Sequence, residues 1–186
     1  MKSSLLFILL CAIVVLTSCR SAKFLTHEMD IFITAEDFKE FGFKFTDLDK
    51  MEKFKKRVWL DKSVEYEYEY PKSDEEKAKL SIYNNIDIQP SPEDAAVSYD
   101  LSKKGLRPVI ESASRRVDPT YYYGEESSLM LFQDEEGNPT GNLFIFYKGK
   151  VVYTLLIVGY GFDKLEEWKR FLKDELEAID RLADQT

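Results

Sequence analysis

Asn142-Leu-Phe-Ile-Phe-Tyr147, Lys148-Gly149 and Val151-Val-Tyr-Thr-Leu-Leu-Ile-Val158 form the stretch whose reading decides the fold. Two runs rich in β-branched and aromatic residues flank a connection of about two residues, which is the pattern of a tight hairpin. A connection so short forces the two strands to pair antiparallel. Ser127 to Gln133 reads as a third strand, joined to the second by the polar hairpin Asp134 to Gly141. The three make a meander.

Working outward, Val64-Glu-Tyr-Glu-Tyr-Glu-Tyr70 alternates strictly, placing Glu65, Glu67 and Glu69 toward solvent and the tyrosines on the other face. Leu80, Ile82, Ile86 and Ile88 share one parity opposite Lys79, Ser81, Asn85 and Asp87, and only Asn84 breaks the apolar face. Ser91-Pro-Glu-Asp-Ala-Ala opens a helix with a serine N-cap and proline in the first turn, closing at Gly105. Thr34 to Gly42 is expected to be a short helix capped by Thr34 and closed by a left-handed Gly42. Lys50 to Arg57, with five cations, reads as a surface helical turn or hairpin. The last helix is expected to start at Asp163, with Glu166 completing a capping box. Its apolar stripe is Leu165, Trp168, Leu172, Leu176, Ile179 and Leu182.

Strands, helix, meander and terminal amphipathic helix together predict a single α+β domain over residues 31–186, an antiparallel sheet covered by helices. The Ser91–Gly105 helix after a strand, Gly124-Glu-Glu-Ser-Ser-Leu, and a meander ending in Tyr153-Thr-Leu-Leu-Ile-Val-Gly159 before a terminal helix carry a further likeness. In these the chain resembles small extracytoplasmic proteins of the PsbP/Mog1-like fold group. The resemblance implies binding or accessory roles and transfers no catalytic residue.

The N-terminus has its own pattern. Lys2 is the only charge before an apolar run from Leu5 to Leu16. A run of about 12 residues is too short for a membrane span, which needs roughly 20, and the layout is that of a secretory signal peptide over residues 1–18. Leu16-Thr17-Ser18-Cys19 resembles the lipobox of bacterial lipoproteins, which implies lipid attachment to the Cys19 thiol and cleavage just before it. Cys11 would leave with the signal peptide, so no disulfide is expected in the mature domain. Residues 19–30 then read as the lipidated N-terminus and a flexible tether, with a reach of roughly 17 Å for ten residues.

Composition narrows the function classes. The chain carries 34 acidic against 26 basic residues, and loss of Lys2 makes the mature form one unit more negative still. That balance disfavours nucleic acid and anionic headgroups, both of which reward clustered cations. Lys53, Lys55, Lys56 and Arg57 are the one dense basic patch, a place where anionic lipid could touch. His27 is the only histidine and falls in the tether, leaving no histidine for a metal site or a nucleophilic triad inside the domain; no metal and no cofactor is expected. Gln133 to Asn138 lacks the alternating acids of a calcium loop and reads as a polar hairpin. Aromatic residues are abundant, with 13 Phe and 11 Tyr. Tyr66, Tyr68 and Tyr70 with Tyr121, Tyr122 and Tyr123 are the candidate ligand-binding residues, since a tyrosine row offers apolar area and hydroxyls to a sugar, lipid or peptide; the competing reading packs them into the sheet core.

The expected function is that of a lipid-anchored cell-envelope protein acting by binding or as an accessory subunit, its partners being the membrane through Cys19 and an envelope protein. The alternative is an acid-dependent hydrolase using paired carboxylates. In lipoproteins resembling this one, aspartate after the lipidated cysteine retains the protein in the inner membrane. Arg20 and Ser21 stand there instead, which points to the periplasmic face of the outer membrane in a cell that has one.

Overall fold

The structure, a computed structural model, describes residues 19–24, 28–44, 51–71 and 80–185. The signal peptide, His27 and Lys50 lie outside the described residues. Eight strands form one sheet among the described residues. They are β1 (Cys19–Ser21), β2 (Lys53–Trp59), β3 (Val64–Tyr70), β4 (Ser81–Ile88), β5 (Arg115–Arg116), β6 (Glu126–Gln133), β7 (Pro139–Lys148) and β8 (Val151–Val158). Their spatial order is β1-β2-β3-β4-β8-β7-β6-β5, and every neighbouring pair is antiparallel. Two meanders, β1 to β4 and β5 to β8, therefore meet at the central β4–β8 pairing. The α+β class and the covered antiparallel sheet are as expected.

Between the meanders run α1 (Pro92–Gly105) and α2 (Arg107–Ser112). Ser91 caps α1 by accepting the Asp94 N–H at 3.1 Å, with Pro92 at the first position, so this start was legible. Ala95 and Tyr99 of α1 pack on Ile145 and Val152, covering one face of β7 and β8. The opposite face carries the main core, which includes Tyr66, Tyr68, Phe144, Phe146, Tyr153 and Trp168.

The chain's end covers that second face as α3 (Leu165–Phe171) and α4 (Lys173–Gln185), broken at Leu172. All six residues of the expected stripe pack against the core. The Asp163 capping box does not form: the cap is Lys164, with no side-chain cap bond, and Glu166 accepts from Lys169 instead. The reason is tertiary. Buried Asn142 accepts the Phe162 N–H at 2.6 Å and donates to the Phe162 carbonyl at 3.0 Å, so β7 dictates where the helix begins. Gly161 lies so near β7 that a Cβ there would sit 2.7 Å from the Gly141 nitrogen. Asn142→Ala should strand two buried backbone groups and lower stability by about 2–3 kcal/mol in urea unfolding.

Three local expectations change. The short helix after Thr34 is a 3-10 helix, Glu36–Phe41, with Ala35 as cap. Thr34 donates its N–H and hydroxyl to Asp37 instead of capping, while Gly42 closes it at φ 86° as expected. Lys53 to Arg57 lies in a strand, not a helical turn, because its charges are met across the ladder: Lys53, Lys55 and Arg57 stand opposite Glu69, Glu67 and Glu65. Those glutamates accordingly face the cations rather than open solvent, and Glu67 is buried.

The segment read as a tether is largely docked. Cys19, Arg20 and Ser21 pair with Trp59, Val58 and Arg57, and the Ala22 N–H donates to the Lys56 carbonyl at 3.0 Å. Phe24 joins an aromatic cluster with Phe32, Phe54 and Tyr66. Glu28 binds Lys56 at 2.6 Å and accepts the Tyr66 hydroxyl at 2.8 Å. An exposed edge on β2 and an open aromatic face outweigh the entropy of a free linker.

Candidate functional site

The proposed tyrosine rows do not make a groove. Tyr66, Tyr68 and Tyr70 are buried in the core; the Tyr68 hydroxyl accepts the Ala35 N–H and donates to Glu52. Tyr121 is half-buried beside Phe144, and Tyr123 lies edge-on to Phe146 while its hydroxyl donates to Asp180. Only Tyr122, 63% exposed, presents its ring to solvent, near the Arg116 guanidinium. The alternation of residues 64–70 fixed their common face but not that the N-terminal segment would cover it. Three of the four cations of the basic patch are likewise paired: Lys55 binds Glu67, Lys56 binds Glu28, and Arg57 binds Glu65.

Two places gather unusual chemistry. The first lies on the α1 side of the sheet, where α1 packs mainly on β7 and β8. Here Asp87 stands directly opposite Glu65 in the β3–β4 register, at the floor of a depression of about 210 Å³ walled by Trp59, Ser63, Val64 and Gln89. Burial pushes the Asp87 carboxyl up to about 7; the Glu65 and Glu67 charges add to the rise and Arg57 opposes it. Glu65 is held in place from two sides, by Arg57 at 2.7 Å and by the Asn85 amide at 3.2 Å. This sets a carboxyl with raised proton affinity beside a second carboxyl whose position is fixed by its partners. Asp87→Asn should remove one of two proton uptakes near pH 7, the other belonging to Glu175, and leave the fold intact, a change that potentiometric titration of the two proteins reads directly.

Gln89 links this depression to a second of about 340 Å³, lined by Asp61, Asp94, Val97 and Leu101. Exposed apolar side chains stand at both: Val97 and Leu101 of α1 line the second and Trp59 of the β2–β3 hairpin the first, with exposed Leu60 next to it in the turn. The hairpin is shaped by its own polar groups. Asp61 accepts the N–H and hydroxyl of Ser63, and Lys62 takes a left-handed φ of 74°. Tied back in this way, Asp61 leaves Leu60 at the tip.

The second place is a cleft of about 430 Å³ between the 3-10 helix and the α3–α4 break. Glu36, Asp37, Glu40, Asp174 and Glu175 line it with Arg170 as a counter-charge. Burial lifts Glu175 to about 7, with Asp37 and Asp174 adding to the rise, and its Oε2 finds no partner among the described residues. In the 133–138 hairpin, Asp134 spends its carboxylate on the turn, accepting the Glu136 and Asn138 N–H groups.

Trp59, Asp87 and Glu175 were not singled out by the sequence. The parity of β4 already put Asp87 on the polar side, and a Trp-Leu pair beside Asp-Lys-Ser marks an apolar turn; neither signal tells which strand lies opposite. No helix among the described residues is long and apolar enough to cross a membrane. No family model, curated protein or solved structure matches the chain.

Proposed function

We propose that the protein is a lipid-anchored cell-envelope protein that acts by binding or as an accessory subunit. The observation that carries this reading is Leu16-Thr17-Ser18-Cys19, placed after one charge and an apolar run of signal-peptide length. The acyl chains would supply most of the membrane affinity, because a chain with net charge −8 is repelled by anionic headgroups. The likeness to the PsbP/Mog1-like group, where roles are binding and accessory, belongs to the same proposal.

Cys19→Ala tests it. The parent should take up radiolabelled palmitate and mature; the variant should do neither, and uptake that persists without the thiol sinks the reading. Location is tested separately. With Arg20 and Ser21 after the cysteine, the domain should resist protease added to intact diderm cells and be cut once the outer membrane is opened. Cleavage in intact cells would place it on the outside.

A hydrolase remains the second reading because one observation favours it, the Asp87–Glu65 pair with its raised proton affinity. Under that reading Asp87 is the acid and Glu65 the second carboxyl, held in place by Arg57 and Asn85. Hydrolysis of chromogenic glycosides that is lost in both Asp87→Asn and Glu65→Gln would establish it, and inactivity of the parent on such substrates would remove it.

A further inference from the structure

We propose that the β2–β3 hairpin tip, Trp59 and Leu60, is the surface on which this domain rests against the interfacial zone of a lipid bilayer. The inference deepens the lipoprotein reading and rests on it. Three observations point the same way. The first is register: Cys19 of β1 pairs with Trp59 of β2, so the two α-carbons lie about 5 Å apart. A lipid on Cys19 would therefore enter the bilayer beside the hairpin tip.

The second is the lack of slack. Arg20, Ser21 and Ala22 are hydrogen-bonded along β2, and Phe24 is packed into the core. The anchor thus leads straight into the sheet edge, and anchoring Cys19 orients the whole domain. The third is the surface itself. Trp59 is 39% exposed, Leu60 72%, Val97 60% and Leu101 61%. Trp59 lines one depression and Val97 and Leu101 the next, the two sharing Gln89, and Leu60 follows Trp59 in the turn of the hairpin. Apolar groups clustered in water mark a contact surface, and tryptophan suits the headgroup boundary because its ring is apolar and its N–H remains wet. Asp61, Lys62 and Asp94 mix both signs around the patch, which fits zwitterionic headgroups and not strongly anionic ones.

The molecule reports on itself, since it has two tryptophans and the other, Trp168, is wholly buried. The full-length protein, produced in a bacterium and extracted from its membranes, is reconstituted into phosphatidylcholine vesicles with ordinary or brominated acyl chains. The mass of the N-terminal peptide is read in the same sample. In brominated vesicles the acylated protein should lose the Trp59 share of its emission. Trp59→Phe should lose nothing, and Leu60→Asp should weaken the quenching several-fold. Equal emission from the acylated protein in both vesicles overturns the proposal, as does quenching that survives in Trp59→Phe. Equal emission in vesicles combined with shielding of Trp59 from acrylamide in native membranes assigns the patch to a protein partner instead. An N-terminal peptide without acyl mass defeats the lipoprotein reading itself, and this orientation with it.

Discussion

Replacing Trp168 with alanine is expected to cost about 3–5 kcal/mol of unfolding free energy, the cost of leaving a large cavity in a close-packed core. Trp168 is wholly buried and stands edge-on to Phe144 and Phe162 at ring separations of 5.5 and 5.7 Å. Those two rings come from β7 and from the loop that Asn142 pins, so the indole joins helix, sheet and loop. Leu172→Ala, one turn on and equally buried, should cost about 2–5 kcal/mol. Glu167 is half-exposed and pairs with Lys164; Glu167→Ala should cost less than about 0.5 kcal/mol. Trp168→Phe is the informative intermediate. Its indole N–H has no partner among the described residues, so phenylalanine loses volume but removes an orphaned donor, and its cost should fall well below that of alanine. Urea unfolding of the four variants checks the series; equal costs for Trp168→Ala and Glu167→Ala would mean that this helix face is not what holds the sheet.

The second large effect is in the pH dependence of stability. Asp87 and Glu175 are both lifted by burial to about 7 in the folded protein, from ordinary values of 3.8 and 4.5. Between those limits the folded state holds protons that the unfolded chain has released. Stability contributed by these groups is therefore complete below about pH 4 and lost as pH rises through about 7. Asp61, Asp118, Asp134 and Asp180 are shifted downward. They act with the opposite sign: their contribution is present above about pH 4 and lost on further acidification. The maximum should thus fall near pH 4, with a decline toward pH 8. Asp87→Asn and Glu175→Gln should each gain about 1–3 kcal/mol over the parent at pH 8 and little at pH 4. Unfolding in urea at both pH values measures this, and a parent equally stable at the two would refute the shifts.

These expectations divide according to the range of the interactions behind them. Strand β3 was legible because alternation of Glu and Tyr is a property of neighbours in sequence, and α1 because Ser91 caps a group three residues away. The β7–β8 hairpin was legible for the same reason, although its two turn positions are Gly149 and Lys150 and not Lys148 and Gly149. Strand β2 was misread because a row of cations resembles a solvated turn until Glu65, Glu67 and Glu69 are placed opposite it. The last helix was right in its buried stripe and wrong in its cap, since the cap was decided by Asn142, 20 residues before Phe162.

By itself, then, the sequence determined strands β3, β4 and β6 to β8, helix α1 and the buried stripe of the terminal helix, the apolar parity of β3 and β4, and the lipobox-like pattern before Cys19. All of these depend on side chains within a few positions of one another. The tertiary structure decided that β4 pairs with β8, that residues 19–24 lie along β2 and over its aromatic face, and that Tyr66, Tyr68 and Tyr70 are core. It also decided that Asp87 meets Glu65 and that Trp59 meets Cys19. Pairing and desolvation arise between segments far apart in the chain, and a carboxyl's proton affinity or a tryptophan's exposure is set by what the other segment brings to it.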